Sequence, residues 1–418
     1  MRRSAARRLW PSRPRPKTSN GRQTLLSIEH PHVLPHLHQL KYGIQPVIGP
    51  PGAGFLVIKV SKEAILAARI KNGLKLYLFA DDEGPASHLG IVTAFPDDHD
   101  EPTIVATTLF EGDDLLRDVR TVLSQPQFKL YLFDEHDREL MGVWVRHRDV
   151  ERFRREIGSA TFAPFDLSTF AALANRLYQR FTIRNATDDE AAFRLIFDDR
   201  LYPDHPAMMA DLVREDPGPP QERDIAAMIG RSFPADAIYL NPFRADTSKE
   251  LTDVLVVTDQ VMLLIEAKDS PNTPVSLERT LDRKRLTIQK QIVKATNQLR
   301  GGLTYAKEAD GVVIEGDTGP MSLPLGGRQL LGLIVIREMF DHDQQENSDP
   351  VLALIDDIQL PVMLIDYPGL HAITTNLHTP TSFLNALHDL FDMALEHGRF
   401  PRSVWNGPPA GFQDPTKV

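Results

Sequence analysis

Cysteine is absent from the 418-residue chain. Disulfides, thiolate-bound zinc and a cysteine nucleophile are excluded together, and the absence fits a reducing, cytoplasmic setting. No apolar run approaches the roughly 18 residues of a membrane span, so no membrane partner is expected. An excess of positive charge is also missing: 47 Lys plus Arg face 57 Asp plus Glu, a formal net charge of -10. A non-specific nucleic-acid coat protein would be basic. The first twenty residues reverse this balance, with seven Lys or Arg and no acid. They lack the apolar segment of a secretory signal and are expected as a disordered basic tail over 1–20. What remains is an ordinary composition, 42% hydrophobic and 25% charged, with room for two or three domains.

The most informative stretch is residues 252–268, TDVLVVTDQVMLLIEAK. Residues 254–257 and 261–265 are aliphatic throughout, as in strands buried on both faces. Thr258, Asp259 and Gln260 supply a polar turn between them. Side chains two apart on a strand share a face, so Glu266 and Lys268 point together. A hairpin about Asp259 then brings Asp253 to the same sheet end. Two carboxylates and an ammonium would meet there. Hard oxygen ligands suit Mg2+ (or Mn2+), which needs few carboxylates beside water and phosphate. Lys268 would orient or deprotonate an attacking water, or neutralise charge on phosphorus.

This pattern resembles the PD-(D/E)XK, or restriction endonuclease-like, nuclease superfamily, in particular its Mrr-like and nuclease-related (NERD) members. The resemblance covers roughly residues 220–340. It implies an α/β fold with an αβββαβ core: a helix at 221–231, strands at 237–243, 254–257 and 261–265, a long helix at 283–307 and a strand at 330–336. Asp253 matches the motif aspartate, and Glu266 and Lys268 match the (D/E)xK pair. Glu222 matches the helix acid that many members use as a further metal ligand. The motif's proline is missing, since Leu251 and Thr252 precede Asp253. The resemblance implies a metal-dependent nuclease acting on DNA, of the kind that serves bacterial defence or repair. Its alternative is a catalytically silent member binding nucleic acid or a protein.

Ile288, Ile292, Ala295, Leu299 and Leu303 recur at spacings of three and four and predict a core-facing helix stripe. Gln291, Lys294 and Gln298 form a second stripe beside it. In the resembling nucleases, Gln or Lys on this helix assists the metal site or touches phosphate, which makes Gln298 a catalytic candidate. Over residues 279–300, Arg279, Arg283, Lys284, Arg285, Lys290, Lys294 and Arg300 oppose only Asp282. Arg283, Lys284, Lys290, Gln291 and Lys294 are therefore the expected nucleic-acid contacts.

Residues 21–185 read as a separate α+β domain, a candidate for recognising substrate or a protein partner. Its KLYLF segments at 75–79 and 129–133 are identical and suggest a repeated hairpin, with a helix at 113–123 between them. A helix over 167–180 and a capping-box signature at Thr187 and Glu190 suggest a helical linker over 186–220. The nuclease-like domain is expected over 221–400, closing with an acidic loop at 341–349 and a helix at 381–397, before a tail at 401–418. Three features fit ordinary loops better than sites. Gly49 to Gly54 starts like a phosphate-binding loop, but Phe55 replaces the lysine. His30, His32, His36 and His38 are stiffened by prolines, and Asp97, Asp98, Asp100 and Glu101 form an acidic turn.

Overall fold

Among the described residues, apolar segments build one large sheet in each half of the chain, and a separate two-stranded sheet lies in the C-terminal half. The structure is a computed structural model and describes residues 26, 30–34, 37, 43–48, 54–81, 88–96, 102–109, 113–159, 192–197, 212–316, 319–340 and 343–401. The expected tails (1–20 and 402–418), the 167–180 helix, the 187–190 signature, residues 49–53, His36, His38 and the 97–101 turn lie outside these residues.

The N-terminal half comprises β1 (Gly43–Ile48), β2 (Gly54–Lys59), α1 (Lys62–Lys71), β3 (Gly73–Asp81), β4 (His88–Pro96), β5 (Pro102–Leu109), α2 (Asp113–Leu123), β6 (Gln127–Phe133), β7 (Glu139–His147), α3 (Val150–Ser159) and β8 (Ala192–Phe197). Its strands form one sheet of order β1-β2-β6-β7-β8-β3-β4-β5. The KLYLF segments lie in β3 and β6, which open the antiparallel hairpins β3–β4 and β6–β7. The helical linker expected over 186–220 is corrected. Residues 192–197 are strand β8, paired with β7 and β3. Phe193, Leu195 and Phe197 are buried while Arg194 between them is exposed. That period of two belongs to a strand and overrides a local capping pattern.

The C-terminal half runs α4 (Gly218–Ile229), β9 (Ile238–Leu240), β10 (Val254–Val257), β11 (Val261–Lys268), α5 (Pro274–Leu277), α6 (Leu281–Glu308), β12 (Gly311–Gly316), β13 (Gly319–Pro324), β14 (Gln329–Ile336), α7 (Gln344–Ile358), β15 (Val362–Asp366), α8 (Tyr367–Asn376) and α9 (Pro380–His397). Its five-stranded mixed sheet has the order β15-β14-β11-β10-β9. β9, β10 and β11 are antiparallel neighbours, whereas β11, β14 and β15 are parallel. β10 and β11 are buried almost throughout, matching their unbroken aliphatic runs. Part of the expected acidic loop is instead α7, whose Val351, Leu354 and Ile355 fall on one buried face.

α6 fixes the face on which the site lies. Ile292, Ala295, Leu299 and Leu303 are fully buried against the sheet. A Cβ on Gly302 would stand 2.8 Å from Leu264 Cδ2 and 3.0 Å from Leu251 O, so only glycine permits this approach. Leu264 therefore faces α6, and Glu266 and Lys268, two and four residues on, share that face.

The two halves meet at the turn of β6–β7. Asp134 Oδ1 accepts the backbone amides of His136 and Arg138, both at 2.9 Å. Arg138 reaches from Asp134 (2.8 Å) to Asp224 on α4 (3.1 Å). Asp137 pairs with Lys59 and with His371 on α8, each at 2.6 Å. Asp224 lies two residues beyond Glu222, so this contact also braces the helix that carries the expected acid.

Candidate functional site

The register Val254↔Ile265 continues to place Asp253 opposite Glu266, on the face toward α6. Lys268 Nζ lies 3.2 Å from Asp253 Oδ2 and 3.0 Å from Glu266 Oε2, and donates to Ala267 O at 2.8 Å. Asp253 Oδ2 also accepts the Ala267 amide at 2.6 Å, which locks its rotamer across the hairpin. Thr252 Oγ1 donates to Ile265 O at 2.7 Å and ties the two strands one step earlier. Asp253 and Glu266 are 6% and 1% exposed, so the pair of acids is set into the sheet end rather than on a solvated rim.

Burial, and then the Asp253 charge, push the Glu266 carboxyl up to about 7 despite Lys268. Burial alone would lower the Lys268 ammonium, but Glu266 and Asp253 outweigh it and raise its pKa. Lys268 is therefore held as a cation. It is equipped to donate and to stabilise negative charge, and it is not poised as a base.

Two further acids stand at the margin. Glu222 on α4 is half-buried, and its Oε2 accepts from Asn241 Nδ2 at 2.9 Å. Glu250, which sequence reasoning missed, is raised by burial, then by Asp253 and Glu222. Its only sequence signal was an acid three residues before Asp253. Among the described residues, no group of three or more His, Cys, Asp or Glu is disposed to hold a metal ion. Asp253 and Glu266 could supply two hard oxygens, with Glu222 and Glu250 farther out. Asn241 Oδ1, buried and without a hydrogen-bond partner, adds a neutral acceptor. Of these acids only Asp253 and Glu266 converge here, and two carboxylates are the few hard oxygens that a divalent cation retaining most of its waters would need.

α6 borders this face. Gly302 contacts Leu264, and Gln291 Nε2 donates to Asp269 O (2.8 Å) and Ser270 Oγ (3.0 Å), so helix and strand run in opposite directions. Gln298, one turn before Gly302 on the helix, is exposed. Arg283, Lys290 and Lys294 are exposed and form no ion pair among the described residues. Two of the expected nucleic-acid contacts, Lys284 and Gln291, have internal partners. Lys284 pairs with Glu63 of α1 at 2.6 Å, and the Gln291 amide clasps the 269–270 backbone segment. Within the basic stretch, Arg285 pairs with Asp343, and Arg300 with Asp357 at 3.0 Å.

His30 and His32 stack edge-on at 5.8 Å, with His30 4.9 Å from Phe55. No helix among the described residues is long and apolar enough to cross a membrane. No family model matches the chain, and no curated protein or solved structure matches it at a significant level.

Proposed function

We propose that this protein is a metal-dependent nuclease of the PD-(D/E)XK type, cleaving phosphodiester bonds of DNA at the Asp253–Glu266–Lys268 centre. The observation that carries this reading is the meeting of one ammonium with two buried carboxylates, at 3.2 and 3.0 Å, on a single sheet face. Element order supports it. A helix bearing Glu222, three antiparallel strands, a long helix and a parallel strand follow one another as in an αβββαβ core, with β12–β13 inserted before the last strand.

In this reading Asp253 and Glu266 would hold Mg2+ or Mn2+, with Glu222 of α4 as the further acid. A divalent cation held there would polarise a phosphoryl oxygen and lower the pKa of water. Lys268, kept protonated by its two acids, donates to the phosphoryl group and stabilises the negative charge that builds at phosphorus. Gln298 would supply an amide to orient water or a phosphate oxygen. Arg283, Lys290 and Lys294 offer charge to the adjoining backbone. The N-terminal half, braced on α4, would present substrate or a protein partner.

The test is cleavage of plasmid and single-stranded DNA in Mg2+. Lys268→Ala should lose roughly 100-fold or more in rate, the scale of removing one electrostatic donor, while its circular dichroism and melting stay those of a folded chain. A second reading has its own observation. Lys268 ion-pairs with both acids, an internal partner that a silent binding module would use. Equal behaviour of wild type and Lys268→Ala would favour that module.

A further inference from the structure

Asn241 occupies the corner where the chain leaves β9, and three features of it converge on the site. Its backbone is left-handed, with φ of 48°, a conformation that asparagine tolerates better than other side chains. Its amide N–H donates to the Asp253 carbonyl at 2.9 Å, in line with the β9–β10 ladder that ends at Leu240↔Val254. Its side-chain Nδ2 donates to Glu222 Oε2 at 2.9 Å. A carboxylate only accepts, so the amide must present its NH2 to Glu222 and turn Oδ1 the other way. That oxygen is buried and has no partner.

From this we infer that Asn241 is a positioning residue, holding the Glu222 carboxylate of α4 in register with Asp253 of the sheet. The inference rests on the metal-site reading above and assigns within it a residue outside the motif. Glu222 needs such a tether. Glu250, Asp253 and Glu266 are all acids, and a free glutamate with three rotatable side-chain bonds would swing away from them into solvent. One residue bonded to both the strand's backbone and the helix's carboxylate removes that freedom. Its remaining Oδ1 can accept from a water on a bound cation, the role that outer-shell acceptors play in fixing metal ligands.

The experiment measures Mn2+ binding to the full chain by electron paramagnetic resonance of the free ion, which requires no turnover. Asn241→Gly keeps the left-handed backbone and the bond to Asp253 and removes only the side chain. It should weaken Mn2+ binding by about 10-fold or more, the usual scale for outer-shell partners. Glu222→Ala should lose a similar amount, and the double variant should be no weaker than Glu222→Ala alone, because Asn241 acts through Glu222. Asn241→Asp, which keeps volume and backbone but cannot donate, provides a check against misfolding and should also bind Mn2+ more weakly. Wild-type affinity in Asn241→Gly, full additivity with Glu222→Ala, or affinity in Asn241→Asp equal to or tighter than wild type would overturn the proposal. Those results leave the metal site itself standing. If wild type binds no Mn2+ in a manner that depends on Asp253, the metal-site reading fails first and the role of Asn241 falls with it.

Discussion

Replacing Asp134 by Asn should separate the charge of one buried carboxylate from its shape. Asp134 closes the β6–β7 turn and is fully buried. It accepts two backbone amides, bonds Arg138 Nε at 2.8 Å and lies 3.6 Å from Lys62 Nζ. Burial alone would raise its carboxyl, but the Arg138 charge above all, with that of Lys62 and the Arg138 amide, outweighs it and brings the group from 3.8 to about 2. That difference corresponds to about 2 kcal/mol of stability at neutral pH. Because the folded value lies below the unfolded one, the contribution is complete well above pH 4 and fades as pH falls toward 2. About half should remain near pH 3. Asp134→Asn keeps the volume and one acceptor oxygen, so it should cost at least about 2 kcal/mol at pH 7 and only about 1 kcal/mol at pH 3. Denaturant unfolding followed by the fluorescence of Trp144 on neighbouring β7 measures both. A cost identical at the two pH values, or below about 0.5 kcal/mol at pH 7, would refute the reasoning, since the latter is the scale of an ordinary surface change.

Three other predictions concern separate parts of the molecule. Gly302→Ala gains helix propensity but drives a Cβ to 3.0 Å from the Leu251 carbonyl oxygen and 2.8 Å from Leu264 Cδ2. Overpacking should win by about 1–2 kcal/mol, read as a lower melting temperature, and a stabilised variant would contradict the close approach. Charge reversal at Lys290 and Lys294 should weaken DNA binding and flatten its salt dependence by about 0.9 for each phosphate left without its cation, with folding unchanged. An unaltered salt slope would place the substrate elsewhere. His136, His147 and His371 are held below their ordinary value chiefly by burial. Their neutral forms belong to the fold, so stability should be full above about pH 6.5 and decline below it. The His371 ring meets Arg231 Nη1 at Nδ1 and Asp137 at Nε2, an arrangement served by the neutral ring, and His371→Gln should flatten part of that decline in melting temperature. A melting temperature flat between pH 8 and 5 would contradict it.

The hairpin and its three charged ends were legible because each signal was local and periodic. Unbroken aliphatic runs marked β10 and β11, and a period of two put Glu266 and Lys268 on one face. The buried stripe of α6 followed in the same way from spacings of three and four. Asn241 and Glu250 were not legible, because both sit in irregular backbone between β9 and β10, where no periodicity announces which way a side chain points. The internal engagement of Lys284 was equally hidden, since Glu63 belongs to a helix in the other half of the chain. The internal partners of Gln291, Asp269 O and Ser270 Oγ, become neighbours only when α6 folds back along β11, so no local pattern announces them. At β8 a capping pattern at 187–190 and the Phe-x-Leu-x-Phe alternation point to different elements, and burial of the three apolar side chains decides for the strand. At 344–349 an acidic composition concealed the start of a helix whose apolar face begins only at Val351.

The proposed activity stands or falls on whether Asp253 and Glu266 form a divalent-ion pocket beside Lys268. Anomalous diffraction from crystals soaked in Mn2+ tests this most directly. The predicted result is a peak at about 2.0–2.3 Å from a carboxylate oxygen of each acid, absent in Asp253→Ala. Well-diffracting crystals with no peak at these acids, or with Mn2+ bound only elsewhere, would contradict it.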